Sequence, residues 1–402
     1  MLVLTMKEQI RLEVIQRVMD GQIDGEKGAT VLGRNIRTIY RLLSRVRKKG
    51  LEGIVHGNKG NKYASKIDVR VREKVKDLAI GKYKGFNDTH MAEKFRENEG
   101  IEISRETLRS ILRMAGIKPK KKRRGRKYRS KRERKEAFGM MIQIDASIHD
   151  WLEGRGPPMT LVGGVDDATG EVWAHFEDSE STWGYLRLLR QIIMDKGVPL
   201  SLYSDRHTIF HSTKEMSIID QLEGRQQPRT QFGRAMDELN IKLIKAYSPQ
   251  AKGRVERAWG TFQDRLIAEM RLADIKTKEE ANEFLPSFLK TYNLKFSKSP
   301  RNRESAFRKR PKFFDLDRIL CLKKTRIVDN DHTIKFEGLQ LQIPPSRKWA
   351  SIAGQKVSVL QFKDGSIEIV YKNKAVARFK YESVIKIIKK CGFDKNHILL
   401  AA

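Results

Sequence analysis

Cysteine is almost missing from this chain: Cys321 and Cys391, far apart in sequence, are the only two in 402 residues. That excludes a disulfide framework and fits a reducing compartment. No apolar run approaches the roughly 18 residues of a membrane span, and the opening Met1-Leu-Val-Leu-Thr-Met-Lys is too short for a secretory signal. A cytoplasmic protein is expected. Acidic residues are also short, with 50 Asp and Glu against 82 Lys and Arg, a formal charge of +32 and a pI of about 10.1. Such an excess repels itself in a compact monomer and predicts a polyanionic partner, nucleic acid before membrane. Charge alone does not separate DNA from RNA or anionic lipid. Apolar residues, at 39%, are plentiful enough for packed cores and exclude a disordered basic tail. The length predicts two to four domains.

The first domain is expected over residues 1–52. Ile10, Val14, Ile15 and Val18 share one face of a helix over 6–20, which Gly21 and Gly25 break. A short helix through Ala29, Val31 and Leu32 turns at Gly33 into a third over about 35–49. Its buried stripe is Ile36, Ile39, Leu42, Leu43 and Val46, leaving Arg37, Arg41, Arg45 and Lys48 outward. Three short helices with a glycine turn before a basic last one make a helix-turn-helix pattern. A plain three-helix bundle with a solvated basic face shares it. Asn35, Arg37 and Arg41 are the candidate groove contacts, because residues early in a recognition helix reach base edges first.

A connector rich in Gly, Asn and Lys leads to a second trihelical pattern over 66–117, with helices at about 67–82 and 88–98. Ser104 is the expected N-cap of the last helix, which runs to about residue 114. Leu108, Ile111 and Leu112 pack it inward, and Arg105 and Arg109 are its candidate DNA contacts, with Arg113 beside them. This helix-turn-helix-like unit suits base readout or protein–protein contact about equally. Residues 118–137 form a basic linker holding thirteen Lys or Arg. Such a block orders on phosphate.

The stretch richest in chemistry is Ser248-Pro-Gln-Ala-Lys-Gly-Arg-Val-Glu-Arg, ending at Arg257. Pro249 opens a turn, and Val255, Trp259, Phe262 and Leu266 then recur as one buried helix face. Glu256 lies on the neighbouring face, with Lys252 one turn earlier. A lone Glu there reads as a solvated carboxylate paired to an Arg. Two more carboxylates change that reading, each closing an apolar strand-like run: Asp145 after Met140-Met-Ile-Gln-Ile, and Asp205 after Val198-Pro-Leu-Ser-Leu-Tyr-Ser. Two Asp at strand ends and a Glu on a later helix are what a pair of divalent cations over a scissile phosphate needs. Mg²⁺ takes hard oxygen ligands in octahedral geometry, and Mn²⁺ accepts the same set. Two such ions about 3.5–4 Å apart activate the attacking oxygen and stabilise the leaving one. Asp145, Asp205 and Glu256 are therefore the candidate catalytic and metal-binding residues, with Asp264, two turns along the same helix, as the alternative to Glu256. Lys252, Arg254, Arg257 and His207 are candidate phosphate contacts. Asp166 and Asp167 are rivals, but Asp166-Asp-Ala-Thr-Gly reads as a turn. His207 and His211 are four residues apart with no further Cys or His near them, so zinc is not expected.

Strands expected at about 140–146, 159–165 and 171–177, a helix over 181–195 and a strand ending at Asp205 predict a mixed α/β domain over 138–300. The three carboxylates and the Ser-Pro-Gln-x-x-Gly-x-Val-Glu-Arg phrase resemble the DDE transposase and retroviral integrase superfamily. Further phrases are most similar to insertion-sequence transposases of the ISNCY type. They are Val55-His-Gly-Asn, Lys84-Gly-Phe-Asn-Asp-Thr-His, His149-Asp-Trp-Leu-Glu-Gly-Arg-Gly, Tyr203-Ser-Asp-Arg-His and Gln231-Phe-Gly-Arg-Ala. The resemblance implies a multidomain α/β protein: tandem helix-turn-helix units, an RNase H-like catalytic core and a C-terminal small β-barrel. It implies two Mg²⁺ ions, replaceable by Mn²⁺, with Asp145 and Asp205 bridging them and Glu256 completing one coordination sphere. The implied partners are double-stranded DNA, as terminal inverted repeats and as target, and further copies of the chain in a homodimer or higher oligomer, with no membrane. A bacterial, cytoplasmic, nucleoid-associated location follows. About fifty residues separate Asp205 from Glu256, more than in many relatives, and the excess is placed in 207–229. A retroviral integrase-like zinc module is excluded, since the N-terminal half lacks cysteine.

A helical hairpin is expected to continue to about residue 298, with Ala281, Phe284, Leu285, Phe288 and Tyr292 on one face. Alternating strands then follow at 318–328, 333–336, 339–343, 357–362, 367–371 and 376–381, with hairpin signals at Lys363-Asp-Gly and Lys372-Asn-Lys. They are assigned to the small barrel over 317–385, which suits either assembly or non-specific DNA contact. Two other functions compete: a catalytically silent DNA-binding regulator, and an RNase H-type nuclease acting on RNA–DNA hybrids. Three carboxylates in place argue against the first, and the tandem helical units against the second.

Overall fold

The computed structural model describes residues 4–55, 67–120, 125, 132–212, 229–246, 252–310, 315–346, 351–380 and 398–400. The Ser248–Ala251 turn, most of the basic linker and most of the 207–229 loop lie outside the described residues. The chain divides into two compact units, Met1–Lys74 and Val75–Ala402.

The first unit carries α1 (Met6–Met19), α2 (Gly25–Leu32), α3 (Ile36–Lys49) and a 3₁₀ turn, Gly50–Ile54. Asp24 caps α2 by accepting from Lys27 N at 2.7 Å, and Gly33 ends it at φ 58°. Ile15, Ala29, Ile39, Leu42, Leu43 and Ile54 form the core, with Leu12, Val18, Ile36 and Val46 packed against it. Ile10, expected inside, is 49% exposed. The buried face of α1 centres on Val14 and Ile15, and Leu12 packs at its edge. Arg45, expected outward, donates to Val55 O at 2.8 Å and closes the 3₁₀ turn.

α4 (Val69–Ile80) runs across the division and is followed by α5 (Asp88–Glu99) and α6 (Arg105–Met114). Asn87 and Ser104 supply the caps, accepting from His90 N at 2.8 Å and Thr107 N at 3.1 Å. Val75, Tyr83, Phe86, Phe95, Leu108, Ile111 and Leu112 are buried.

The centre of the second unit is a five-stranded sheet, built from β1 (Ile142–His149), β2 (Met159–Asp166), β3 (Val172–Glu177), β4 (Ser201–Ser204) and β5 (Lys242–Lys245). Their order is β3-β2-β1-β4-β5. The first three strands are antiparallel neighbours, and β4 and β5 join parallel to β1 and to each other. Three antiparallel strands, a helix (α7, Thr182–Asp195) and a further strand follow in the order the sequence predicts. α8 (Gln231–Glu238) and β5 were not foreseen; at eight and four residues each repeats its period only about twice. Adjacent strand residues point to opposite faces. Val162 packs with Ile144, Tyr185, Leu189, Phe232 and Leu202 under α7 and α8. Leu161 packs with Val165, Phe176, Trp259, Phe262 and Phe288 under α9 (Gly253–Leu272) and α10 (Lys278–Phe296). The sheet is thus a filling between two helical layers.

After a short helix, α11 (Leu316–Ile319), the chain makes β6 (Leu322–Ile327), β7 (Thr333–Phe336), β8 (Leu339–Gln342), β9 (Lys356–Gln361), β10 (Ile367–Tyr371), β11 (Lys374–Phe379) and β12 (Ile398–Leu400). Lys372 and Asn373, at φ 47° and 62°, form the two-residue turn expected between β10 and β11. The expected small β-barrel is corrected: among the described residues no sheet closes. Four strands are ordered β11-β10-β9-β6 and three are ordered β12-β8-β7. After β6 the chain starts a new hairpin, β7–β8, and β12 pairs with that hairpin instead of extending the first sheet. Ile334, Phe336, Leu341, Val359, Ile369 and Phe379 share one core between the two.

Candidate active site

β1 and β4 lie side by side and parallel, with Ile142 opposite Leu202 and Gln143 opposite Tyr203. Asp145 and Asp205 are each three residues beyond the first of these pairs. Asp145 thus follows the paired residues along β1, and Asp205 comes directly after the last residue of β4. Both meet one cation. Lys252 Nζ lies 2.8 Å from Asp145 Oδ1 and 3.2 Å from Asp205 Oδ2. Burial works against the Lys252 ammonium, but the two carboxylates outweigh it and hold its pKa above the ordinary lysine value. The other Asp145 oxygen, Oδ2, accepts from Trp259 Nε1 at 3.1 Å. Asp205 Oδ1 accepts from the backbone N of His207 at 3.0 Å, in a tight turn at the end of β4.

Trp259 reaches Asp145 because β2 has no side chain beneath it. Gly163 pairs with Asp145 across the antiparallel ladder. A Cβ on Gly163 would lie 2.5 Å from Trp259 Cη2 and 2.7 Å from Trp173 O. The glycine is required there by close approach.

The two adjacent aspartates at the end of β2 do different things. Asp166 makes the predicted turn, its Oδ1 accepting from Thr169 N at 2.8 Å and its Oδ2 from Gly139 N at 2.9 Å. Burial nevertheless raises its pKa above the usual carboxylate value. Asp167 is fully buried and faces α9, where Arg254 Nη1 lies 3.1 Å from its Oδ1. Arg254, expected on a phosphate, is thus committed to a carboxylate, and burial lowers its pKa.

Two carboxylates converge on one cationic atom, the Lys252 ammonium, and they are hard oxygen donors of the kind a divalent cation takes. Glu256, one turn past Lys252 on α9, is exposed. No three His, Cys, Asp or Glu among the described residues come together as a metal-holding group. The structure therefore brings Asp145, Asp205 and Lys252 together and leaves Glu256 exposed outside that contact. Asp264 is engaged elsewhere, with Asn87 and, at 2.9 Å, with Lys120 Nζ. His207 and Arg257 are exposed, as are Asn35, Arg37 and Arg41 in the first unit and Arg105 and Arg109 on α6. Asn35 Oδ1 caps α3 by accepting from Arg37 N at 2.9 Å.

The far part of α9 holds the α5 helix. Glu269 meets His90 at 2.9 Å and Lys94 at 3.1 Å, and Arg265 meets Glu93 at 2.6 Å. Nothing in the sequence announces these pairs, since each partner reads as an ordinary charge on a helix surface. Trp259 and Gln143 were likewise read as core and strand, and their polar ends become visible only once β1 faces α9.

No family model matches the chain. It is 36% identical over 366 residues to a candidate transposase, y4bF, of Sinorhizobium fredii (strain NBRC 101917 / NGR234), spanning 90% of this chain and 78% of that one. It is 32% identical over 400 residues to the transposase for insertion sequence IS1202 of Streptococcus pneumoniae, spanning 90% of this chain and 84% of that one. Among solved structures, it is similar to the simian T-cell lymphotropic virus intasome in complex with PP2A regulatory subunit B56 gamma, at 16% identity and TM-score 0.35 over 77% of this chain and 96% of that one. The HTLV-2 integrase catalytic core domain in complex with magnesium is similar at 18% identity and TM-score 0.31, over 42% of this chain and 94% of that one. Both sequence relatives are of one class, the transposases. The chain belongs to the family of insertion-sequence transposases. No helix among the described residues is long and apolar enough to cross a membrane.

Proposed function

We propose that this transposase binds the terminal inverted repeats of its own element, cleaves there, and joins the 3′ ends to target DNA by metal-dependent phosphoryl transfer. The observation that carries this is the convergence of Asp145 and Asp205, from adjacent parallel strands, on the single cation of Lys252. Two Mg²⁺ ions, or Mn²⁺ in their place, bound there would activate the attacking oxygen and stabilise the leaving one. Asp145 and Asp205 supply the shared carboxylates, and Trp259 fixes the orientation of the first. Glu256, exposed one turn along α9, is the carboxylate available to complete the set. Lys252, released from the aspartates, becomes a point charge for a phosphate oxygen, with Arg257 and His207 exposed to do the same. The attacking group is water in cleavage and a DNA 3′-hydroxyl in joining, so no covalent protein intermediate is needed.

In this reading residues 1–52 and 66–117 are the two DNA-directed helical domains, 118–137 the linker that follows phosphates, 138–300 an RNase H-like core, and 317–385 the C-terminal β domain. Asn35, Arg37, Arg41, Arg105 and Arg109 meet duplex DNA, and the +32 charge supports a polyanionic partner. Two element ends must be joined together, so a homodimer or higher oligomer acts on DNA, in a bacterial cytoplasm at the nucleoid. The test is a joining assay with an inverted-repeat duplex from the flanks of the gene. Nicked and joined products are expected with Mg²⁺ or Mn²⁺, none with a chelator, and few with Ca²⁺, whose coordination is larger and looser. Products formed without any divalent ion, or equally from an unrelated duplex, would refute the reading.

A further inference from the structure

Lys252 is the N-cap residue of α9, and its side chain makes no capping hydrogen bond. The first turn of a helix leaves backbone N–H groups without intrahelical partners, and a side-chain oxygen usually takes one of them. Here the oxygen comes from another element. Gln143 Oε1, on β1, accepts from Val255 N at 3.3 Å. Gln143 and Asp145 are two apart on the strand and so share a face. Two bridges therefore run side by side from β1 to the first turn of α9: Gln143 to Val255 N, and Asp145 to Lys252 Nζ.

Gln143 is oriented in turn by Asp167. Its Nε2 donates to Asp167 Oδ1 at 2.8 Å, which leaves Oε1 aimed at the helix. Both residues are fully buried. Asp167 also takes Arg254 Nη1 at 3.1 Å, the backbone N of Lys135 at 2.8 Å and the Arg132 guanidinium. A single buried carboxylate thus ties β1, the last residues of the basic linker and the start of α9 together. Turn formation does not explain this, because Asp166 alone makes the turn.

We propose that Asp167 and Gln143 are positioning residues: they set the rotation and height of the first turn of α9 against β1, and so place Lys252 and Glu256 relative to Asp145. The proposal rests on the reading of Asp145, Asp205 and Glu256 as a metal site. Neither residue touches substrate or metal; both act through the helix. Groups that orient metal ligands from behind typically carry about 10–100-fold in metal affinity.

The test is Mn²⁺ binding to the full chain, followed by calorimetric titration, alongside thermal unfolding and terminal-DNA affinity. Gln143→Met keeps the volume and removes the acceptor, and Asp167→Asn keeps the shape and removes the charge. Each is expected to weaken Mn²⁺ binding by about 10–100-fold, with terminal-DNA affinity unchanged. The double variant should bind Mn²⁺ no more weakly than Asp167→Asn alone, because the two residues act along one path. If Asp167→Asn fails to fold, Gln143→Met decides. A folded Gln143→Met protein with unaltered Mn²⁺ affinity would overturn the proposal, as would two full, additive losses in the double variant. Absence of Mn²⁺ binding by the unaltered chain would defeat the metal-site reading itself, and the proposal with it.

Discussion

Trp259 and Gly163 are fitted to one another: the indole lies so close to β2 that a Cβ on Gly163 would sit 2.5 Å from Cη2. The fit is what lets Nε1 reach Asp145 Oδ2 at 3.1 Å. Gly163→Ala must push the ring away or shift the strand, so a loss of about 1–3 kcal/mol is expected from overpacking, read as a lower unfolding midpoint. Trp259→Phe keeps most of the bulk but removes the donor. It should lower metal-dependent joining more than it lowers stability. Joining that survives Trp259→Phe undiminished would show that the indole only fills space.

The contact between α5 and α9 should be acid-sensitive. Burial pushes the Glu269 and Glu93 carboxyls up, but the bonds from His90 and Lys94 to the first, and from Arg265 and Lys295 to the second, outweigh it. Both pKa values lie below the ordinary 4.5. A carboxyl depressed in the folded state contributes stability above its unfolded pKa, and that contribution is lost as pH falls through the folded value. The opening free energy of α5, read as amide protection relative to the intrinsic exchange rate at each pH, should therefore lose this contribution only as pH falls below about 4.5. Protection that persists well into acid would show that apolar packing alone holds α5.

How far the sequence went can be seen on β1 and α9. Apolar runs placed β1–β3, and helical spacing identified Val255, Trp259, Phe262 and Leu266 as buried, because each pattern is local. Asp145 and Asp205 stand out in the sequence as carboxylates closing apolar runs, but β1 continues to His149, so Asp145 lies within the strand. The meeting of the two at Lys252 depends on a parallel pairing no local pattern contains. Asp167 was misread as turn chemistry because its partners, Gln143, Arg132 and Arg254, lie 24, 35 and 87 residues away in sequence. The barrel was misread for a related reason. Strand positions in 318–381 were close, but the strands divide between two sheets, and β8 pairs with β12, which lies beyond the alternating run.

The exposed arginines of the first unit make a separate prediction. If residues 1–136 supply phosphate contacts, affinity for an unrelated duplex should fall steeply with salt as counterions are released. An inverted-repeat duplex should bind more tightly at any one salt concentration. Arg37→Ala or Arg41→Ala should reduce that preference by about 1–3 kcal/mol if the residue reads a base, and a fluorescence titration against both duplexes separates the cases. Equal weakening on both would make it a phosphate contact.

The central claim is that Asp145, Asp205 and Glu256 act together on divalent ions, and its most direct test is a strand-joining assay on Asp145→Asn, Asp205→Asn and Glu256→Gln. Each change preserves shape and removes one charge. The expected result is loss of Mg²⁺- and Mn²⁺-dependent joining in all three, with terminal-DNA binding intact. Joining by Glu256→Gln at the rate of the unaltered protein would contradict the account, since the exposed helix carboxylate would then lie outside the chemistry altogether.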